Sequence, residues 1–131
     1  LPEGAVPYSA DGLARMRGAG TPVFVDVTAD WCITCLANEK AVLGSTSVQE
    51  AFTRHKVTYM VADWTDYDAQ IADFVASHGR SGIPLYVLYA GDGVTPPEIL
   101  PQILRASPLI AALARVGAKP QQVAHTKGIS R

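Results

Sequence analysis

The stretch PVFVDVTA at residues 22–29 runs straight into DWCITC at 30–35. The first part is apolar and rich in β-branched residues, which reads as a buried strand. Only Asp26 interrupts it. From Cys32 the pattern turns helical and continues to about Leu43, where Gly44 offers a stop. Both cysteines of the 131-residue chain fall at this strand-to-helix junction, as Cys32 and Cys35.

The rest of the chain extends the alternation. Ser9 is placed to cap a helix over 10–18, closed by RGAG. The segment SVQEAFTRH has a capping-box pattern in Ser47 and Glu50 and supports a short helix. A strand is expected at 56–63. A helix follows with Ile71, Phe74 and Val75 on one face and Gly79 beyond its end. A strand at 83–90, a turn at 91–93 and a short edge strand in PEILPQ come next. Ser107 and Pro108 open a last helix with Leu109, Ile110, Leu113 and Val116 on one side. With a short edge strand at 5–8, the order is β, α, β, α, α, β, α, β, β, α. That order implies an α/β fold with a small mixed sheet and helices on both faces. Residues 1–9 read as a lead-in, 10–118 as one domain and 119–131 as a polar tail.

An i, i+3 cysteine pair puts both sulfurs on one side of a first helical turn, a spacing a disulfide can close. At a helix N-terminus, free N–H groups and the macrodipole favour a thiolate at Cys32, the attacking species in exchange. Cys35, a turn further in, is the expected resolving thiol. Two other readings remain open, half of a metal site or a pair of inert packed thiols. A closed zinc site needs about four ligands. No second cysteine pair exists, and His55, His78 and His125 are scattered without metal-ligand spacing. No metal is therefore expected.

Composition narrows the function. With 48% hydrophobic and 18% charged residues the chain is globular. A net charge of −1 provides no basic field for nucleic acid or an anionic membrane. The longest apolar runs, such as LIAALA at 109–114, are too short to span a bilayer. No signal-peptide pattern opens the chain, and LPEGAVPYS reads as an excised domain or a mature form.

The motif FVDVTADWCITC, followed about fifty residues later by GIPLYVLY, resembles the thioredoxin superfamily over roughly 10–117. VTADWCITC, ANEKAVL and GDGVTPPEILPQIL are similar to the C-terminal periplasmic domain of the DsbD/ScsB membrane reductases. The resemblance implies a thioredoxin fold and a thiol:disulfide oxidoreductase with no cofactor beyond a Cys32–Cys35 disulfide. It implies electrons arriving from a transmembrane domain of the same protein and leaving to a periplasmic N-terminal domain or a thioredoxin-like partner. The isolated domain would be a periplasmic monomer. The alternative is a stand-alone periplasmic reductant, for example in cytochrome c maturation. A third possibility, a binding or chaperone platform, is opposed by the intact cysteines. Two departures stand out. Ile33-Thr34 replaces the Gly-Pro of cytoplasmic thioredoxins, and Leu36 stands where close relatives often carry lysine.

The resemblance also assigns supporting residues. It places Asp26 below the cysteines, where burial would raise its pKa and let it accept or supply a proton as Cys35 reacts; otherwise Asp26 is an acid reaching solvent at the sheet edge. Glu39, four residues after Cys35, would tune the cysteines together with Asp26, or be a solvated helix residue paired with Lys40. Pro84 would be cis beside the cysteines and present the Ile83 backbone to an extended substrate, against the trans form usual for such bonds. Trp31 would shield the sulfurs and offer a flat contact surface. Asp30 either orients the loop or is solvated. Trp64, Tyr67, Tyr86 and Tyr89 are read as core or surface packing with no specific role, and His78 as closing a helix C-terminus, where cations are favoured.

Overall fold

A computed structural model describes residues 4–117. The tail expected at 119–131, residue 118 and the first three residues of the lead-in lie outside the described residues. The strands are β1 (Val6–Pro7), β2 (Val23–Thr28), β3 (Thr58–Asp63), β4 (Leu85–Tyr89) and β5 (Glu98–Ile99). The helices are α1 (Ala10–Gly18), α2 (Ile33–Asn38), α3 (Thr46–Arg54), α4 (Ala69–Ser77) and α5 (Ala106–Val116). Their order along the chain matches the expected one, and the sheet order is β1-β3-β2-β4-β5. β1, β3 and β2 run parallel, and β4 and β5 are antiparallel to their neighbours.

β2 is the central strand and every one of its residues is buried. Strand alternation divides them between two cores. Val23, Val25 and Val27 join Leu13, Ile71, Phe74 and Val75 beneath α1 and α4. Phe24 joins Phe52, Tyr59, Tyr86, Leu109 and Leu113 beneath α3 and α5. Asp26 and Thr28 share the side of Phe24, so the acid faces the helical layer that begins with the cysteines. β2 is flanked by β3 and β4, which removes the sheet-edge reading of Asp26.

Several boundaries differ from expectation for local reasons. The cap of α3 is Ser45, not Ser47: the Ser45 hydroxyl accepts from the Val48 amide and donates to the Val42 carbonyl. β3 begins at Thr58, because Lys56 adopts a left-handed turn (φ 56°) between α3 and the strand. α5 starts at Ala106 with no side-chain cap, and Pro108 occupies a first-turn position whose N–H would be unpaired anyway. α2 does continue to Leu43, but over Glu39–Leu43 it widens into a π-type turn. The Gly44 amide closes it on the Glu39 carbonyl at 2.8 Å. A Cβ on Gly44 would lie 2.9 Å from that same oxygen, so glycine is required there.

Candidate active site

β2 ends at Thr28, the chain turns through Ala29–Trp31, and α2 starts with Cys32 as its N-cap. The Cys35 amide donates to the Cys32 sulfur at 3.2 Å. One of the free N–H groups of the helix start is thus aimed at the sulfur that would carry negative charge after reduction. A disulfide joins Cys32 and Cys35 with Cα atoms 5.2 Å apart. Both cysteines are largely buried, Cys32 retaining 7% exposure and Cys35 none, so Cys32 is the more accessible of the two. Among the described residues no cluster of histidines, cysteines and acids could hold a metal ion.

Two neighbouring segments frame the pair. Ile83 packs on Ala29, Cys32 and Cys35. The Ile83–Pro84 peptide bond is cis. On the other flank, the Trp31 indole N–H donates to the Thr65 carbonyl at 3.1 Å. The Trp31 ring stacks on Tyr67 with centroids 5.3 Å apart, and Trp64 closes the cluster. Trp31 and Tyr67 are 44% and 63% exposed, so this is an aromatic face beside the disulfide and not internal packing. Thr65 also accepts from the Asp30 amide and is itself held by Asp63. The Asp30 backbone therefore anchors the cysteine loop.

Asp26 is wholly buried, and its Oδ2 accepts a 2.5 Å hydrogen bond from the Tyr59 hydroxyl. Burial raises its pKa to about 7; the Tyr59 bond works in the opposite direction and the Glu39 charge adds to the rise. Its Oδ1 is buried without a partner. Glu39 is half-buried and accepts from the Thr28 hydroxyl at 2.7 Å, one strand position pair beyond Asp26. It is not paired with Lys40. Thr28, Glu39, Leu36, Ala29 and Asp30 line one side of a groove of about 440 Å³ that runs to β1.

Asn38, Gln102 and Tyr59 carry part of this architecture, and sequence reasoning passed over them. Asn38, one turn after Cys35, is buried. Its amide group donates to the Tyr86 hydroxyl and the Gln102 carbonyl, both at 2.8 Å, and accepts from the Leu104 amide. Gln102 in turn donates to the Pro84 carbonyl at 3.1 Å. The helix of Cys35 and the Pro84 turn are thereby joined by side-chain bonds. A lone asparagine in an apolar helix face was the available signal. His78 does end α4, where it packs edge-on against Phe74, and burial followed by the Arg80 charge lowers its pKa, which works against a capping cation there.

A family profile described as thioredoxin-like matches residues 5–91. The thiol:disulfide interchange protein DsbD of Escherichia coli K12 is 29% identical over 85 residues, covering 65% of this chain and 15% of that protein. The chain thus spans about a seventh of the length of the curated relatives it matches. Among solved structures, the oxidised C-terminal domain of Neisseria meningitidis DsbD superposes with a TM-score of 0.65 at 23% identity, covering 86% of this chain and 98% of that one. A thioredoxin from Thermus thermophilus gives 0.64 at 16% identity, covering 95% and 99%. The disulfide-bonded cysteine pair at the head of α2 sits within the stretch that this profile matches, and the chain belongs to the thioredoxin-like family.

Proposed function

We propose that the chain is the reductase module of a periplasmic electron relay. It takes electrons from the dithiol of a transmembrane domain of the same protein and delivers them to an N-terminal periplasmic domain or a thioredoxin-like partner. The observation that carries the reading is the asymmetry of the pair: Cys32 on a helix N-cap with 7% exposure, Cys35 with none, on the side of β2 that holds a buried acid. The likeness of this chain to the DsbD C-terminal domain supports the place in the relay.

In the forward step the Cys32 thiolate attacks a partner disulfide. That bond breaks, one partner sulfur leaves as a thiolate, and a Cys32–partner disulfide forms. Cys35 then gives its proton to Asp26 and attacks the Cys32 sulfur. The Cys32–partner bond breaks, the Cys32–Cys35 bond forms, and the second partner thiolate departs. The partner gains two electrons and the chain loses two; the donor domain's dithiol restores them. Ile83 and Pro84 receive the extended segment around the partner cysteine, and Trp31 forms the opposite wall. Glu39 adds negative charge near Asp26 and the cysteines. No cofactor beyond the disulfide is invoked.

Mixing the reduced chain with the oxidised N-terminal domain of DsbD tests the assignment. Rapid transfer, one dithiol per disulfide, is expected, with slow transfer to insulin. Equal rates on both substrates would favour a stand-alone reductant, a reading the equally good superposition on a thioredoxin keeps in view. No transfer to the DsbD domain would contradict the relay.

A further inference from the structure

The Asp26 carboxyl has one hydrogen-bond donor, and it comes from the neighbouring strand. Tyr59 pairs with Phe24 in the parallel β3–β2 ladder, which makes it the diagonal neighbour of Asp26 on the same face. Its ring is caged by Phe24 and Phe52, with centroids 5.3 and 5.1 Å away, so the hydroxyl cannot swing clear. The hydroxyl sits 2.5 Å from Oδ2, while Oδ1 is buried and unpartnered. The other titratable groups coupled to this site are Glu39, from the π-type end of α2, and Tyr86, from β4. Glu39 is taken by Thr28 and the Tyr86 hydroxyl by Asn38. Among the described residues no cation faces the acid.

We infer that Tyr59 is a positioning residue for exchange: its hydroxyl holds the Asp26 carboxylate by Oδ2 and leaves Oδ1 as the oxygen that takes the Cys35 proton. The inference rests on the role given to Asp26 above. A buried carboxylate without a donor is strongly disfavoured against its neutral acid. Without Tyr59, Asp26 would hold its own proton at the pH where it must accept one. The phenol makes an otherwise too-basic acid serviceable near neutrality.

Tyr59→Phe keeps the ring in its cage and removes only the hydroxyl. Two readouts apply: the Asp26 titration, followed by carboxyl carbon NMR of the oxidised protein, and the pH dependence of product release from a Cys32 mixed disulfide. The expected result is an upward move of the Asp26 midpoint by about one pH unit or more. Release should slow about tenfold at pH 7 and recover in more alkaline buffer. In an Asp26→Asn background the same substitution should leave the release profile unchanged. An unmoved Asp26 midpoint in Tyr59→Phe, or a profile shift that persists without Asp26, would overturn the inference and leave Tyr59 a packing residue. If Asp26→Asn alone failed to alter the release profile, the proton-acceptor role would fall, and the positioning role with it.

Discussion

Replacing Cys32 with alanine is expected to abolish disulfide exchange, whereas replacing Cys35 with alanine is expected to leave a chain that captures its partner and cannot let go. The two sulfurs are three residues apart, yet their surroundings differ. Cys32 ends the loop after β2, keeps a solvent-facing edge and receives the Cys35 amide. Cys35 has no exposure at all and can reach only a sulfur already bound to Cys32. Loss of the nucleophile should lower the exchange rate by at least ~10³-fold. Loss of the resolver should leave the first attack intact and stop the second, so a covalent complex accumulates under non-reducing electrophoresis. Capture by the Cys32 variant and none by the Cys35 variant would reverse the roles.

Asp26→Asn is expected to raise stability in alkaline solution while impairing turnover. The acid's pKa is near 7 in the fold against 3.8 for the unperturbed group. The folded state therefore binds the proton more tightly than the unfolded chain. Below about pH 4 both states are protonated and the acid carries no penalty. As pH rises from there toward 7 the unfolded chain ionises first, and stability falls until the folded carboxyl also ionises. Asparagine is neutral throughout and can still accept from Tyr59. The variant should match the wild type near pH 4 and exceed it at pH 8, by at most on the order of 4 kcal/mol. Urea unfolding at the two pH values measures this. Resolution by Cys35 should meanwhile slow by about 10²-fold, because the thiol has lost its proton acceptor. Equal stability gains at both pH values would show that the carboxyl's charge is not their source.

Much of this architecture was legible in the residues. The apolar run 22–29 located the central strand because burial on both faces removes the usual polar alternation. Asp26 was legible as the one exception to that run. The strand-to-helix junction fixed where Cys32 and Cys35 would stand. The partners of these residues were less legible, since their bonds join distant positions. Tyr59 lies in KVTYMVAD, an ordinary strand pattern, and its hydroxyl finds an acid 33 residues away. Asn38 meets Tyr86, Gln102 and Leu104 only after α2 and the segment following β5 pack together. Trp64 and Tyr67 read as packing because nothing local shows that their loop folds back on Trp31. The π-type turn leaves one trace, Gly44, whose ordinary reading as a helix stop is also correct.

The proposed function makes the chain a reductant that cycles between dithiol and disulfide, with Cys32 as nucleophile, Cys35 as resolver and Asp26 as the buried acid. Equilibration of the chain against glutathione or dithiothreitol buffers, with Cys32 alkylation to count reduced molecules, tests this most directly. The account predicts one two-electron transition with a midpoint at or below about −200 mV, in the range of thiol reductants. A midpoint near about −120 mV, where strong oxidants lie, or the absence of any transition would contradict it.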